Sequence, residues 1–179
     1  IHNEQMIDEL RQKGVNIISD VSRAPENSKV VIRTHGVTSE VYREMENRNI
    51  EVIDLTCPYV KKIHKLVSKM YVEGHTIVIA GDKNHPEVVG INGWCENSAY
   101  IAGNPEDIEG FPEFDGPCCL VAQTTITKEK FENIYNKLKE KCKNIKKFDT
   151  ICNATITRQT EAEEIGRIAD VMLVVGSKN

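Results

Sequence analysis

The sequence lacks several features that define large classes of protein. No apolar run approaches the roughly 20 residues of a membrane span, and no segment resembles a signal peptide. No Cys-x-x-Cys pair occurs, which argues against a zinc knuckle or a thioredoxin-type redox pair. There is no basic stripe, and 23 Lys and Arg stand against 27 Asp and Glu, which argues against a nucleic-acid interface. We expect a cytoplasmic protein that acts without membrane or nucleic acid.

The composition is that of a folded domain, because 40% of the 179 residues are hydrophobic and 28% are charged. Short apolar runs predict strands at Val30–Arg33, Val52–Leu55, Thr76–Ala80, Tyr100–Ala102, Leu120–Ala122 and Val171–Val175. Helical patterns with capping residues lie between them, at Glu4–Lys13, Glu40–Asn47, Pro58–Tyr71, Lys128–Lys141 and Thr155–Ala169. Because strands and helices alternate, the sequence predicts an α/β fold of βαβ units with a mostly parallel sheet.

Small polar residues follow four of the predicted strands. They are Thr34-His35-Gly36, Gly81-Asp82-Lys83-Asn84-His85, Gln123-Thr124-Thr125 and Gly176-Ser177-Lys178-Asn179. Open parallel sheets bind ligands beyond the carboxyl ends of their strands. The sequence therefore predicts a binding face built from these four segments.

Two segments of the chain match each other in the spacing of rare residues. Asp54 and Cys57 lie three residues apart, and so do Asp149 and Cys152. Each cysteine also precedes a strand-end glycine by 24 residues. Such shared spacing is typical of an internal repeat.

A second match extends the repeat. The stretch Val31–Thr38 corresponds to Leu120–Thr127 in its apolar run and in the polar residues that follow. We infer three α/β repeats, of which one is complete and two are truncated. Residues 1–56 hold the first without its opening strand and cysteine, residues 57–151 the complete second, and residues 152–179 the start of the third.

Three repeats around a pseudo-threefold axis would bring three thiolates to one point. That ligand set suits an iron–sulfur cluster with one open iron better than a four-ligand zinc site. Cys57 and Cys152 each precede a predicted helix start, where backbone N–H groups favour a thiolate, and the third cysteine would lie outside this chain. The alternative for any single thiol is a buried structural cysteine. We assign the cysteines without a repeat partner to packing or the surface: Cys95, Cys118, Cys119 and Cys142.

His2, His35 and His85 stand at the boundaries of predicted elements, in register with the repeat. Imidazoles, with Thr hydroxyls and helix N-termini, are suited to holding a phosphate. Glu87 follows His85 by two residues. It is either a proton source for a reductive step at a metal centre or a helix N-terminal carboxylate favoured by the helix dipole, and the spacing leaves both open. His64 lies inside a helical pattern and is expected to be structural or solvated.

Several motifs together resemble one enzyme family. They are Ile1-His2-Asn3, Thr34-His35-Gly36-Val37, Thr56-Cys57-Pro58, Gly81–Val88, Gln123-Thr124-Thr125, Cys152-Asn153-Ala154-Thr155, Arg158-Gln159 and Val174–Asn179. In their order and separation these motifs resemble the 4-hydroxy-3-methylbut-2-enyl diphosphate reductases, the LytB-type iron–sulfur reductases of isoprenoid biosynthesis. The resemblance covers essentially the whole chain.

The resemblance implies a trefoil of three α/β domains around a central [4Fe-4S] cluster held by three cysteines. Such enzymes remove the allylic hydroxyl of their substrate with two electrons and two protons, giving isopentenyl and dimethylallyl diphosphates. A ferredoxin or a flavodoxin-type protein would donate the electrons. The motifs carry over Cys57 and Cys152 as cluster ligands, His2, His35 and His85 at the diphosphate and substrate, Thr124 at the substrate, and Glu87 as proton donor.

Two parts of the family pattern are not in this sequence: the first cluster cysteine and the Ser-Ser-Asn segment that binds diphosphate. With two of three thiolates, we expect this piece alone to be inactive. The alternative is a non-catalytic α/β module that binds a phosphate-containing ligand or a metal. That alternative accounts for the histidines but leaves the repeated Asp-x-x-Cys pattern without a role.

Overall fold

The computed structural model describes residues 4–175, and within them two parallel sheets form. The first sheet pairs β1 (Lys29–Ile32) with β2 (Glu51–Asp54). The second has the order β4-β3-β5-β6, with β3 (Thr76–Ala80), β4 (Tyr100–Ala102), β5 (Cys118–Ala122) and β6 (Ile145–Lys147). The helices are α1 (Glu4–Gln12), α2 (Ser39–Asn47), α3 (Pro58–Val72), α4 (Pro86–Asn92), α5 (Lys128–Leu138) and α6 (Asn153–Ile168). All strand pairs are parallel, which confirms the predicted α/β fold.

The second sheet carries the main core, because its central strands are covered on both faces. On one face Ile77, Ile79 and Val121 pack against α3 and α4. On the other face Val78 and Leu120 pack against α5. All five side chains are at most 2% exposed, so side-chain alternation along β3 and β5 supplies two separate cores.

The first sheet is covered on one side. Ile32 packs with Val21, Met45 and Ile50 in a smaller core beneath α2. The opposite face is exposed and carries Val31, 54% exposed, and Ile53, 41% exposed, beside the Lys29–Glu51 ion pair. A two-stranded sheet with one open face is marginal alone, so this unit depends on its contacts with the second sheet.

The carboxyl-terminal part of the described chain packs little. No residue of α6 is buried. Residues 171–175 were predicted to form a strand, and that prediction is wrong: they lie outside any strand and are exposed. A strand needs a neighbour to receive its backbone hydrogen bonds, and the described residues offer none at this position.

Two elements of the structure were not predicted from the sequence. Strand β6 is short and two of its three residues are lysines, so it shows no apolar run. Helix α4 has seven residues, too few for a clear helical period, although Pro86 at its first turn and His85 as its N-cap mark its start. No helix among the described residues is long and apolar enough to cross a membrane.

Candidate functional site

Three of the four predicted polar segments meet at the carboxyl ends of their strands, and the fourth, residues 176–179, lies outside the described residues. The centre is Glu87, whose side chain is 3% exposed in the first turn of α4. One carboxylate oxygen accepts the backbone N–H of Thr124 at 2.7 Å, and the other accepts its hydroxyl at 2.8 Å. Thr124 follows β5, so this pair joins the ends of two neighbouring strands. A buried carboxylate with both oxygens paired is held in one orientation.

His85 caps the helix that carries Glu87. Its Nδ1 accepts the backbone N–H of Glu87 at 3.2 Å. Because an accepting nitrogen carries no proton, the capped imidazole presents Nε2–H away from the helix. His85 thus carries its donor on Nε2 while Nδ1 holds the start of α4.

His35 reaches the same place from the first sheet. It follows β1, and its ring lies edge-on to that of His85 with the centroids 5.1 Å apart. The next residue, Gly36, has a φ of +74°, and a Cβ there would lie 2.6 Å from Cε1 of His64. Only glycine fits this close, left-handed turn. The structure therefore brings His35, His85, Glu87 and Thr124 together; His2 lies outside the described residues.

Two contacts hold the His35 loop against the second unit. The Trp94 indole N–H donates to the carbonyl of Val37 at 3.1 Å, and the Ser39 hydroxyl donates to the carbonyl of Gly93 at 2.8 Å. Gly93 and Trp94 follow α4 directly. The loop after β1 and the end of α4 therefore form one joint between the two sheets.

His64 was expected to be structural or solvated, and the structure shows it buried beneath this joint. It is 3% exposed and stacks on Trp94 with ring centroids 5.2 Å apart. Burial lowers the pKa of His64 to about 4, against a smaller opposing effect of Asp54, so the ring is neutral at neutral pH. The spacing of Val60, His64 and Val67 on one helical face could have revealed its burial.

Gln123 is a further residue whose role the sequence reading missed. Its amide oxygen accepts the backbone N–H of Asp82 at 3.0 Å, and its amide nitrogen donates to the Thr125 hydroxyl at 2.9 Å. The side chain thereby ties the loop after β3 to the loop after β5. No sequence signal beyond its place in the Gln-Thr-Thr motif indicated this.

Cys57 and Cys152 stand in equivalent turns, Asp54–Cys57 and Asp149–Cys152, which we call the first and second cysteine turns. In the first, the Thr56 N–H donates to Asp54 Oδ1 at 2.9 Å; in the second, the Ile151 N–H donates to Asp149 Oδ1 at 3.3 Å. Each cysteine is the N-cap of the helix that follows, and neither side chain makes a capping hydrogen bond. The same local geometry has thus formed twice.

The cysteine turns also correct the sequence match. The Cys57 N–H donates to the carbonyl of Thr34, and the Cys152 N–H donates to that of Thr124, both at 2.9 Å. Thr34 is therefore equivalent to Thr124, whereas the sequence match paired it with Gln123. The loop of the first unit is one residue longer before the helix caps Thr38 and Thr127, and it contains the left-handed Gly36.

The two thiols suit the role of thiolate ligands. Both are free and half-buried, and each lies at a helix N-terminus, where backbone N–H groups stabilise negative charge. Within residues 4–175 no group of three or more His, Cys, Asp or Glu is placed to hold a metal ion. The described residues therefore form no complete metal site, and the roles of Cys57 and Cys152 as cluster ligands stay a prediction.

The remaining cysteines are packing residues. All four are buried, two of them in β5, one after α4 and one after α5: Cys118, Cys119, Cys95 and Cys142. Burial raises the pKa of Cys119 to about 12 and also raises the pKa of Cys95 and of Cys118. Such thiols stay protonated and unreactive at neutral pH.

A cavity of about 650 Å³ opens at the same edge of the second sheet, on the side of α5. Lys83, Gln123 and Lys130 are among its lining residues, and Glu87 and Thr124 are not. The Glu87–Thr124 pair is therefore a closed contact between strand ends. Gln123, which precedes Thr124 in the sequence, is one of the residues that line the open cavity.

Comparison with known proteins identifies the family. Residues 1–179 match the family described as LytB protein. The chain is 43% identical over 181 residues to a 4-hydroxy-3-methylbut-2-enyl diphosphate reductase of Caldanaerobacter subterraneus and 44% identical to one of Clostridioides difficile. These matches cover 100% of this chain and 62% and 64% of the relatives, so the chain spans less than two thirds of their length.

Solved structures agree. The E-1-hydroxy-2-methyl-but-2-enyl-4-diphosphate reductase of Plasmodium falciparum superposes with a TM-score of 0.89 at 30% identity, over 99% of this chain and 57% of that one. A second reductase, described as the terminal enzyme of the non-mevalonate pathway, gives 0.74 at 35% identity, over 100% of this chain and 64% of that one. The fold is that of these reductases, of which the chain is a partial copy. The chain belongs to the LytB protein family.

Proposed function

We propose that a full-length protein carrying this sequence reduces 4-hydroxy-3-methylbut-2-enyl diphosphate to isopentenyl and dimethylallyl diphosphates in isoprenoid biosynthesis. The observation that supports this most is the buried Glu87 carboxylate, hydrogen-bonded twice to Thr124 and placed beside His85 and His35. The relatives named as reductases of this substrate support the same activity. The enzyme acts in the cytoplasm.

The reaction consumes two electrons and two protons. The allylic C–O bond breaks, one C–H bond forms, and the hydroxyl leaves as water, so that the carbon skeleton is reduced and the diphosphate is retained. A [4Fe-4S] cluster with one open iron would supply both a Lewis acid and a path for the electrons when bound. Cys57 and Cys152 would hold it together with a third cysteine from outside this chain.

The protein side chains position the substrate and move the proton. His2, His35 and His85 bind the diphosphate and the adjoining part of the substrate, since imidazoles donate hydrogen bonds to phosphate oxygens. Thr124 orients the substrate, and its hydroxyl donates to Glu87 in the resting site. Once Glu87 has taken up a proton, it supplies that proton to Thr124, whose hydroxyl passes its own proton on toward the substrate.

The chain would contribute one complete repeat and two partial ones to this enzyme, with boundaries at residues 1–56, 57–151 and 152–179. Support comes from the two separate sheets and from the two cysteine turns, which repeat the same backbone hydrogen bonds. The residues of a three-cysteine site are thus divided among repeats. The chain alone, with two of the three thiols, is predicted to be inactive.

The test is anaerobic reconstitution of the full-length protein with iron and sulfide, followed by iron counting and a product assay. We expect about four irons per protein and conversion of the allylic diphosphate. Glu87→Gln should keep the iron and lower turnover by about 10²-fold or more, as loss of a general acid does. Glu129→Gln, at an exposed first-turn glutamate of α5, is the matched control and should turn over normally.

Two outcomes would contradict the proposal. Normal turnover of Glu87→Gln would remove that residue from the proton path. A full-length protein that takes up no iron yet binds inorganic diphosphate would instead be the non-catalytic phosphate-binding module.

A further inference from the structure

Helix α3 has an unusual charge. Its 15 residues include four lysines and no Asp or Glu, in a chain whose net charge is −4. Each of the other α-helices of the described chain contains at least one acidic residue. The excess of positive charge on α3 is therefore local.

Three of the four lysines form a stripe on the outer side of the helix, so the expectation that the chain has no basic stripe is wrong at this helix. Lys62, Lys65 and Lys69 are spaced by three and four residues, so they lie on one face, and all three are exposed. Among the described residues, no carboxylate lies within ion-pair distance of Lys62 or Lys65; Lys69 is 3.8 Å from the exposed Glu73. Tyr59, 45% exposed, lies beside the stripe with Lys62 over its ring at 5.5 Å. We call these four residues the α3 basic face.

The opposite side of α3 accounts for its packing. Ile63, Val67 and Met70 are buried against the second sheet, and the fourth lysine, Lys61, pairs with Asp54 at 2.8 Å. The α3 basic face therefore contributes nothing to the contacts that hold the helix. Since lysines are almost never buried without a charged partner, the face stays in solvent or meets an acidic surface.

The stripe starts close to a proposed cluster ligand. Cys57 is the N-cap of α3. At about 1.5 Å per residue, Lys62 lies about 8 Å and Lys65 about 12 Å along the axis from that cysteine. Electron transfer between proteins requires a short path, so a surface this near the cluster is a favourable entry point.

The other cysteine-headed helix makes a useful contrast. Helix α6 begins at Cys152 in the same turn geometry, but it carries Glu161, Glu163 and Glu164 against Arg158 and Arg167. An acidic partner would be attracted to α3 and repelled by the acidic stretch of α6. Of the two helices, the charge difference therefore favours α3 as the side from which an acidic partner approaches.

We infer that the α3 basic face is the docking surface for a small acidic protein that carries one electron at a time. This inference rests on the proposed function, because the proposed reaction consumes two electrons per turnover and they must come from an external donor. Each carrier molecule is oxidised by one electron, so two successive dockings supply one turnover. Charge complementarity would steer the encounter, and Tyr59 offers the kind of aromatic contact that interface centres favour.

The experiment compares two electron sources on the full-length, iron-loaded protein. One source is a purified ferredoxin with an excess of Asp and Glu, and the other is reduced methyl viologen, a small cation that needs no protein docking. Lys62→Glu with Lys65→Glu should lower kcat/KM for the ferredoxin by about 10-fold or more. Activity with viologen should stay unchanged, and the ferredoxin-dependent rate should lose most of its dependence on salt.

The matched control is Lys139→Glu with Lys143→Glu, an equal change of charge at two exposed lysines at and just after the end of α5, the helix that covers the other face of the second sheet. It should leave both activities intact. An unchanged ferredoxin activity in the α3 variant would overturn the inference. An equal loss of activity with both donors, or a loss of iron, would overturn it too, because either result would show that another part of the full-length protein covers this face. If the unaltered protein is inactive with viologen, the proposed function itself fails.

Discussion

The two cysteine turns are alike in their backbone and different in everything around them. Both use an aspartate that accepts the N–H two residues on, and in both the cysteine N–H donates to a strand-end carbonyl at 2.9 Å. In the first turn the following helix is packed, with five buried residues on α3. In the second, α6 has none.

The side chains that support each turn differ as well. Asp54 also accepts from Lys61 at 2.8 Å and from the Tyr42 hydroxyl at 3.0 Å. Asp149 makes no ion pair among the described residues, and its neighbour Thr150 is tied to Ala122 by its hydroxyl instead. The comparison teaches that a short local motif is enough to place the cysteine, whereas the stability of the helix behind it comes from packing.

The largest expected effect on stability separates the two helices that follow the cysteine turns. Ile63→Ala in α3 removes a side chain that is 2% exposed, and we expect a loss of about 2 to 5 kcal/mol in the free energy of unfolding. Ile165→Ala in α6, at 53% exposure, should change it by less than about 0.5 kcal/mol. Urea titration followed by the fluorescence of Trp94, the single tryptophan, measures both. Equal losses would break the comparison.

The next effect concerns the two aspartates. Burial alone would raise the pKa of Asp54, but hydrogen bonds from Lys61, Thr56 and Tyr42 together outweigh it and hold that pKa well below its usual range. At pH 7, Asp54→Asn should cost about 1.5 to 3 kcal/mol, toward the lower end because Lys61 is partly exposed. Asp149→Asn should cost less than about 1 kcal/mol, since its single bond is long.

The same pKa fixes the dependence of the Asp54 effect on pH. The folded state favours the ionised carboxylate, so its stabilising contribution is complete above about pH 5 and is lost as the pH falls through about 4 and below. The difference between the unaltered protein and Asp54→Asn should therefore shrink on acidification. Urea titrations at pH 7 and pH 3 check this, and a constant difference would contradict it.

The smallest expected effect on stability compares alanine substitutions at two glycines, which should change stability in opposite directions. Gly36→Ala places a side chain at a φ of +74° and against His64, which should destabilise by about 1 to 2 kcal/mol from the backbone alone. Gly166→Ala lies inside α6, where a Cβ would meet only the flexible end of Met172 at 3.4 Å. It should stabilise by up to about 1 kcal/mol, because alanine favours helix. Thermal unfolding of both variants gives the two signs.

The fold was predictable where local signals agreed. The strands β3 and β5 are nearly continuous apolar runs because they are buried on both faces, and Pro58 and Thr127 mark helix starts by their own chemistry. Prediction failed where a neighbouring strand decides whether a segment forms a strand. Residues 171–175 have strand residues without a strand to pair with, and β6 is a strand by virtue of pairing with β5.

The candidate site followed the same rule. Spacing identified Cys57 and Cys152, because the aspartate and the cysteine act within one turn. It also named Glu87 and Thr124, but their double hydrogen bond joins residues 37 positions apart and was not readable. The true equivalence of Thr34 with Thr124 was hidden by the one-residue difference between loops, which only backbone hydrogen bonds reveal.

The joint between the sheets has a consequence for synthesis on the ribosome. The first sheet is complete at Asp54, yet the groups that hold its loop, Gly93 and Trp94, are made about 40 residues later. At roughly 5 to 20 residues per second, that delay is about 2 to 8 s, during which the loop after β1 lacks the groups that hold it in the folded chain. The first sheet should therefore be least stable in the nascent chain while Asp54 to Trp94 is being translated.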